Sequence, residues 1–399
     1  MSRSLRFISY GAGYSLAGIV QLLMTPYLTQ RLGVEEYAQL AIVLAAVNWI
    51  TVFAFLGTHG ALKILAVKDR ASAGEVLWAG ISVACLSGAS SSILGLVGVY
   101  LGYFDWHTGV LVATTAASQA GLLLILSYFH VIADLKRFVA AAIAAPTITA
   151  LITVGLIESV NNPNYAYRLL ALMLGNLTVV LIGLKQIGFV KVKKNLISRV
   201  FSLTWPLAVI QAGQISLFLL DRLLLDLHAT AQDVAEYAIY MQLIIPISVG
   251  IRAINQVRTV DIYEALKSNG SSAILLGEIK YIALVVFAGA CLFAVVSVLP
   301  KGLFGDVKLT NSTVYAWMLC NALLGYLAQL SNKRLMFEER VRLSMAVRLP
   351  VYLLGCGLMW FFAPMHGVNG ILTAISVTYF THFLSNSVIY LSKMRSEHG

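Results

Sequence analysis

The chain has 399 residues, of which 59% are hydrophobic and only 12% charged, and its formal net charge is +10. A globular domain in water carries about 25% charged residues, because a large share of any folded chain must face solvent. With a mean hydropathy of +0.82, these figures exclude a soluble fold and leave a bilayer as the solvent for most side chains.

A bilayer demands that backbone groups pair within the protein, which leaves helices or a closed barrel. The apolar runs here are about twenty residues long, which predicts helices rather than the alternating ten-residue strands of an outer-membrane barrel. The expected class is an all-α polytopic membrane protein with twelve spans. They are placed at about 7–29, 38–58, 76–101, 107–129, 138–157, 167–189, 201–224, 234–257, 279–300, 313–332, 343–363 and 368–392. The opening Met1-Ser2-Arg3-Ser4-Leu5-Arg6 runs into an apolar stretch of spanning length without a convincing cleavage site, and reads as the first helix.

An even number of spans puts both termini on one side. With that side cytoplasmic, the cytoplasmic segments hold twenty lysines and arginines, and the opposite side holds four: Arg31, Arg168, Lys301 and Lys308. The bias follows the positive-inside rule and accounts for the net charge without nucleic acid as a partner. It predicts a multi-pass protein of the bacterial inner membrane with both termini cytoplasmic. The most basic segment, Lys191 to Arg199, divides the chain into two sets of six spans, residues 1–195 and 196–399. Val34-Glu35-Glu36-Tyr37-Ala38 and Val234-Ala235-Glu236-Tyr237-Ala238 echo one another at the start of the second and eighth spans. Two halves of equal orientation are a common transporter plan, with the substrate path between them.

Catalytic signatures are missing: the sequence has no nucleophile elbow, HExxH or Walker A loop. Cys85, Cys291, Cys320 and Cys356 stand singly in apolar runs, without metal or disulfide spacing, and read as packing residues. The informative residues are ionisable groups within spans, each costing about 2.5–3.5 kcal/mol at a helix centre. Asp221 and Arg222 lie near the outer end of the seventh span, Arg252 in the inner part of the eighth, and Arg348 in the inner part of the eleventh. Arg31 ends the first span on the outside, and Lys63, beside His59, ends the second on the inside. Arg222 and Arg252 at different depths would form a cationic track, with Gln21, Gln211, Gln214, Asn255 and Gln256 as neutral partners. Guanidinium forks suit phosphate oxygens. Alternatives stand open for each group. Arg348 and Lys63 equally read as cations snorkelling to cytoplasmic headgroups, Arg31 as an interfacial anchor, Arg252 as an early helix end and Asp221 as a packing or ion-coupling partner. Pro26, Pro146, Pro206, Pro246 and Pro350 fall in or near spans as kinks or as tolerated membrane prolines.

Three stretches carry a family resemblance. Thr25-Pro26-Tyr27-Leu28-Thr29-Gln30-Arg31-Leu32-Gly33-Val34-Glu35-Glu36-Tyr37-Ala38 is similar to a Pro-x-Leu-x-Arg-x-Leu-Gly-x-x-x-Tyr opening pattern. Asp221-Arg222-Leu223-Leu224-Leu225 followed by Val234-Ala235-Glu236-Tyr237-Ala238 is similar to an acidic-basic end of helix seven and the tyrosine opening helix eight. Gly367-Val368-Asn369-Gly370-Ile371 is similar to a small-residue entry to the last helix. Together they resemble the polysaccharide transport family of the multidrug, oligosaccharidyl-lipid and polysaccharide exporters, and within it a Wzx-type O-antigen flippase. Position 38 is alanine where that family commonly has glycine, and Arg252 and Arg348 match no firm motif.

The resemblance implies a MATE-like fold, two six-helix lobes around a central cavity. It implies an undecaprenyl-diphosphate-linked oligosaccharide as substrate, moved to the periplasmic leaflet by alternating access, with a proton or sodium as coupling ion. Membrane lipids, an O-antigen polymerase and a chain-length regulator are the partners it implies; Arg222, Arg252, Arg31, Lys63 and Arg348 would contact the substrate. An ion-coupled multidrug antiporter of the same superfamily is the first alternative, and it predicts buried acids and aromatics rather than arginines. A polytopic enzyme of glycan assembly, a polymerase or glycosyltransferase, is the second. It predicts a large outer loop, and no segment between spans is long enough to be one.

Overall fold

The computed structural model describes residues 3–60, 62, 65, 72–100, 105–251, 254, 271–298, 300, 302–309, 312–331 and 341–398. These residues include ten continuous helices. They are α1 (Arg3–Phe55), α2 (Ala73–Tyr100), α3 (Trp106–Val131), α4 (Leu135–Glu158), α5 (Tyr165–Ile187), α6 (Lys194–His228), α7 (Ala231–Leu243), α8 (Ser271–Ser297), α9 (Ser312–Ser331) and α10 (Val341–His398). Seven stretches are long and apolar enough to cross a bilayer. Two of these, Gly18–Phe55 with 38 residues and Leu343–Val388 with 46, are about twice the roughly 20 residues that one crossing needs.

The two long stretches are each folded at one glycine. Gly33 (φ 75°, ψ 179°) bends α1 and Gly367 (φ 54°, ψ −132°) bends α10. A side chain resists positive φ, so only glycine takes such a bend at little cost. Ten helices thereby supply the twelve rods expected from hydropathy, and the chain is an all-α, multi-pass membrane protein. The prolines within α1, α4, α6 and α10 are carried inside helical runs. Other helix starts are capped by side chains. Asp105 accepts from the Thr108 amide at 2.9 Å, and Asn164 from the Ala166 amide at 3.1 Å. Thr230 and Asp233 form a reciprocal capping box at the start of α7.

The residues group into two compact units, Ala12–Leu219 and Leu220–Gly399 with Met1–Gly11. The boundary falls inside α6, later than the division at 195/196 expected from the basic segment.

In the first unit α2 packs on α3, and α3 and α4 pack on α5. Leu62, Leu65, Leu77, Val83, Leu124 and Val200 form one apolar cluster, and Val43, Val47, Ile50, Val112, Ala116 and Leu169 another. Small residues let the helices approach. A Cβ on Gly175 of α5 would stand 3.0 Å from the Thr149 backbone nitrogen of α4. In the second unit α9 packs on α10 and on α8. A buried polar clamp ties α9 to α10: Trp317 Nε1 donates to Ser376 Oγ (2.9 Å), Ser376 Oγ to Asn321 Oδ1 (2.6 Å), and Asn321 Nδ2 to the Leu372 carbonyl (3.2 Å).

Candidate functional site

Asp221 and Arg222 are adjacent on α6, nearly two turns before its end at His228. Asp221 is fully buried, so an ionised carboxylate there must be hydrogen-bonded and charge-matched. It is both. Arg222 Nη1 donates to Oδ1 at 3.0 Å, and the Tyr237 hydroxyl, from α7, donates to Oδ2 at 2.8 Å. The Arg222 guanidinium also lies 5.9 Å from the centroid of the Tyr237 ring, within cation–π range. The side chain of Arg222 is 14% exposed. Both donors are strongest toward a charged carboxylate, and the bond from Tyr237 is the one that ties α7 to α6 here.

A second polar cluster sits on α10 and α9. Arg348 Nη2 donates to the Tyr352 hydroxyl, four residues on, at 2.9 Å, and its guanidinium lies 5.6 Å from that ring. The His382 ring meets Tyr352 edge-on, with centroids 5.7 Å apart. His382 is buried and neither ring nitrogen has a hydrogen-bond partner. One turn later Asn386 Nδ2 donates to Ser331 Oγ of α9 at 3.2 Å, while its Oδ1 and the Arg348 Nε are unpartnered.

The first unit carries a polar and aromatic strip in the middle of its helices. Gln119 of α3 donates to Asn48 of α1 at 2.9 Å, Trp49 Nε1 donates to Ser216 Oγ of α6 at 2.8 Å, and Trp49 lies 4.7 Å from Phe53. His59 Nε2 and Gln211 Nε2 are 3.4 Å apart. Asn48 is exposed. Amides on a membrane helix are costly against hydrocarbon, and those of Asn48 and Gln119 satisfy one another across α1 and α3.

Of the residues singled out from sequence, Arg31 belongs to the first unit and Asp221, Arg222 and Arg348 to the second. Arg31 ends the first rod of α1 as expected. It pairs with Glu158 at 2.8 Å, Glu158 also accepts from the Tyr27 hydroxyl at 3.0 Å, and the Arg31 side chain is 54% exposed. Arg222 and Asp221 come together with Tyr237. Arg348 gains Tyr352 and, against that ring, His382, neither of which sequence reasoning picked out. Lys63 and Arg252 lie outside the described residues, so the track from Arg222 to Arg252 does too. Arg168, read as an outer-boundary charge, is 6% exposed; its Nη1 donates to Thr153 of α4 at 2.7 Å. Buried acids also occur: Asp221 and Glu236 are both inside. Among the described residues no three metal-ligating side chains come together.

Neither a protein-family model nor a curated protein matches the sequence. Solved structures do match. The MATE multidrug transporter DinF-BH, in complex with R6G, superposes with a TM-score of 0.70 at 12% identity, over 98% of this chain and 95% of that one. A multidrug resistance MATE family transporter of the MOP superfamily matches in two states. Its inward-facing conformation gives a TM-score of 0.64 at 12% identity, and its outward-facing conformation 0.63 at 14%, each over 99% of this chain and 96% of that one. The chain thus shares the fold of these transporters over nearly its whole length.

These matches overturn the resemblance to a Wzx-type O-antigen flippase: the structures named are multidrug MATE transporters. The physical reason lies in what the three motif stretches do. The first contains the Gly33 bend. The two parts of the second flank the Thr230–Asp233 capping box. The third opens on the Gly367 bend and includes Gly370, where a Cβ would stand 2.7 Å from the Phe362 carbonyl carbon. All three shape helix junctions that any fold of this kind needs, so they carry architecture and leave the cargo unspecified.

Proposed function

We propose that the chain is an ion-coupled exporter of amphipathic organic molecules, a multidrug antiporter working by alternating access. The observation that carries this reading is the match, over nearly the whole chain, to one transporter fold solved in both inward- and outward-facing states. The strip of Asn48, Trp49, Phe53 and Gln119 supports the substrate class. Aromatic rings give sequence-tolerant contact area, and a few amides orient a flat, partly polar guest. Asp221 is the coupling group in this reading, with Arg222 as its counter-ion and Tyr237 as the reporter on α7. Protons or sodium ions would act by changing the charge that holds those two donors. Arg348 contributes a substrate contact. The loop charge bias supports an inner-membrane placement with cytoplasmic termini.

The test uses the full chain in proteoliposomes. An imposed proton or sodium gradient should drive R6G movement, and Asp221→Asn should abolish the gradient dependence while R6G still binds. Absence of gradient-driven transport for R6G and for other aromatic dyes would overturn the reading. A deletion strain that loses surface polysaccharide with unaltered dye efflux would overturn it as well.

A further inference from the structure

The first unit holds a groove of about 510 Å³, lined by Leu56 at the end of α1, Val83, Leu86 and Ser87 of α2, and Lys194 and Phe201 of α6. Its walls are apolar and its one cation stands at the start of α6. Leu86 is 76% exposed and Phe201 51%, so no helix covers them. The volume is within the range of about 300–1,000 Å³ that ligand sites occupy.

The segment leading into α6 is amphipathic. Val192, Leu196 and Ile197 pack against the Leu77–Leu124–Val200 cluster. Lys191, Lys193, Lys194, Ser198 and Arg199 point outward. No aspartate or glutamate occurs between residues 185 and 220, so the charges of this stretch are not balanced within it. Beside it Trp78 Nε1 donates to the Gly188 carbonyl at 2.8 Å, and its ring meets Phe189 edge-on at 4.9 Å. An indole with a hydrogen-bonded N–H is the usual marker of headgroup depth. The groove therefore descends from headgroup level into the hydrocarbon, with positive charge at its mouth. Basic pockets between helices on the cytoplasmic side of a membrane protein suit phosphate headgroups.

We infer that this groove binds an anionic phospholipid of the cytoplasmic leaflet. One acyl chain lies along Leu56, Val83, Leu86 and Phe201. The phosphate meets Lys194 and the amides of the first turn of α6, where the helix dipole adds to the attraction. The site is independent of the transported cargo and rests only on the charge-derived orientation of the chain.

Native mass spectrometry and thermal unfolding of the purified full chain test this, with phosphatidylglycerol and phosphatidylcholine of identical acyl chains as probes. Phosphatidylglycerol adducts should be retained and should raise the unfolding temperature more than phosphatidylcholine does. Lys194→Gln should weaken phosphatidylglycerol binding about five-fold, the worth of one cation near an anionic headgroup. Lys193→Gln, next to the groove but not lining it, should weaken it less. Leu86→Trp, which fills the groove, should remove the preference while leaving the unfolding temperature without added lipid unchanged. Glycerol phosphate, which lacks acyl chains, should not compete. Equal binding of the two lipids, or binding indifferent to both Lys194→Gln and Leu86→Trp, would overturn the inference. Competition by glycerol phosphate would overturn it too, because it would assign the site to a free phosphate.

Discussion

Replacing Asp221 by Asn keeps the shape of the side chain and removes its charge. The guanidinium of Arg222, 3.0 Å away and largely shielded from solvent, then loses the charge of this carboxylate. Breaking one member of a buried ion pair costs about 3–5 kcal/mol, and the residual exposure of Arg222 argues for the lower end, about 3 kcal/mol. Tyr237→Phe removes only the 2.8 Å hydrogen bond to the same carboxylate, for which about 1.5–3 kcal/mol is expected. Replacing both charges together, as Asp221→Asn with Arg222→Met, should recover much of the loss, because the pair is then removed as a unit. The measurement is a double-mutant cycle on reversible unfolding in mixed micelles, read at positions 221 and 222. A coupling of about 2–3 kcal/mol is expected. If Asp221→Asn alone costs less than about 1 kcal/mol, or the coupling vanishes, the pair is solvated and cannot act as a buried switch.

Three further outcomes follow from the same geometry. His382→Leu should leave unfolding stability unchanged or higher, since two buried ring nitrogens without partners are lost. Each such group costs about 1–3 kcal/mol, so a strongly destabilised variant in the same micelle titration would show that the nitrogens are satisfied in the membrane. Gly175→Ala should destabilise by about 1–3 kcal/mol, because the new methyl meets the α4 backbone at Thr149. Gly155→Ala, where a Cβ meets nothing within 4 Å, should gain about 0.5–1 kcal/mol from helix propensity; equal effects of the two in unfolding titrations would contradict the close approach of α4 and α5. At the start of α3, the Thr108 hydroxyl and amide hold the Asp105 carboxyl below its ordinary pKa. A lowered carboxyl stabilises the folded cap at neutral pH, and that contribution is lost as pH falls through and below the usual carboxylate range. Hydrogen exchange in the first turn of α3 should therefore speed up in acid in the native protein, relative to its intrinsic rate, and Asp105→Asn should remove that dependence.

Much of the fold was legible because bilayer thickness fixes helix length. The spans read at 7–29 and 38–58 became the two rods of α1, and those at 343–363 and 368–392 the two rods of α10. Hydropathy did not show that these pairs are joined without a loop. That depends on a backbone conformation at Gly33 and Gly367, and composition carries no trace of it. Asp221 and Arg222 stood out as charges in an apolar run. The role of Tyr237 did not, because it depends on how α7 returns beside α6. The burial of Arg168 was hidden for a similar reason: it counted only as a charge opposite the cytoplasmic side, while Thr153, fifteen residues earlier, supplies its partner from the neighbouring helix. His382 and Asn386 gave no signal, since neutral side chains in apolar runs are ordinary. The family was misread because glycines at helix junctions, Gly33 and Gly367 among them, belong to the fold and not to one family within it.

The bends at Gly33 and Gly367 also set what the chain tolerates. A loop absorbs an added residue as slack, but a one-residue corner between rods has none. Each residue inserted there would spin the following rod by about 100° about its own axis, exchanging the side chains it turns to lipid for those it turns to protein. Tags and reporters for mapping sidedness thus belong in the connection at 159–164, where extra length leaves the registry of both flanking helices untouched.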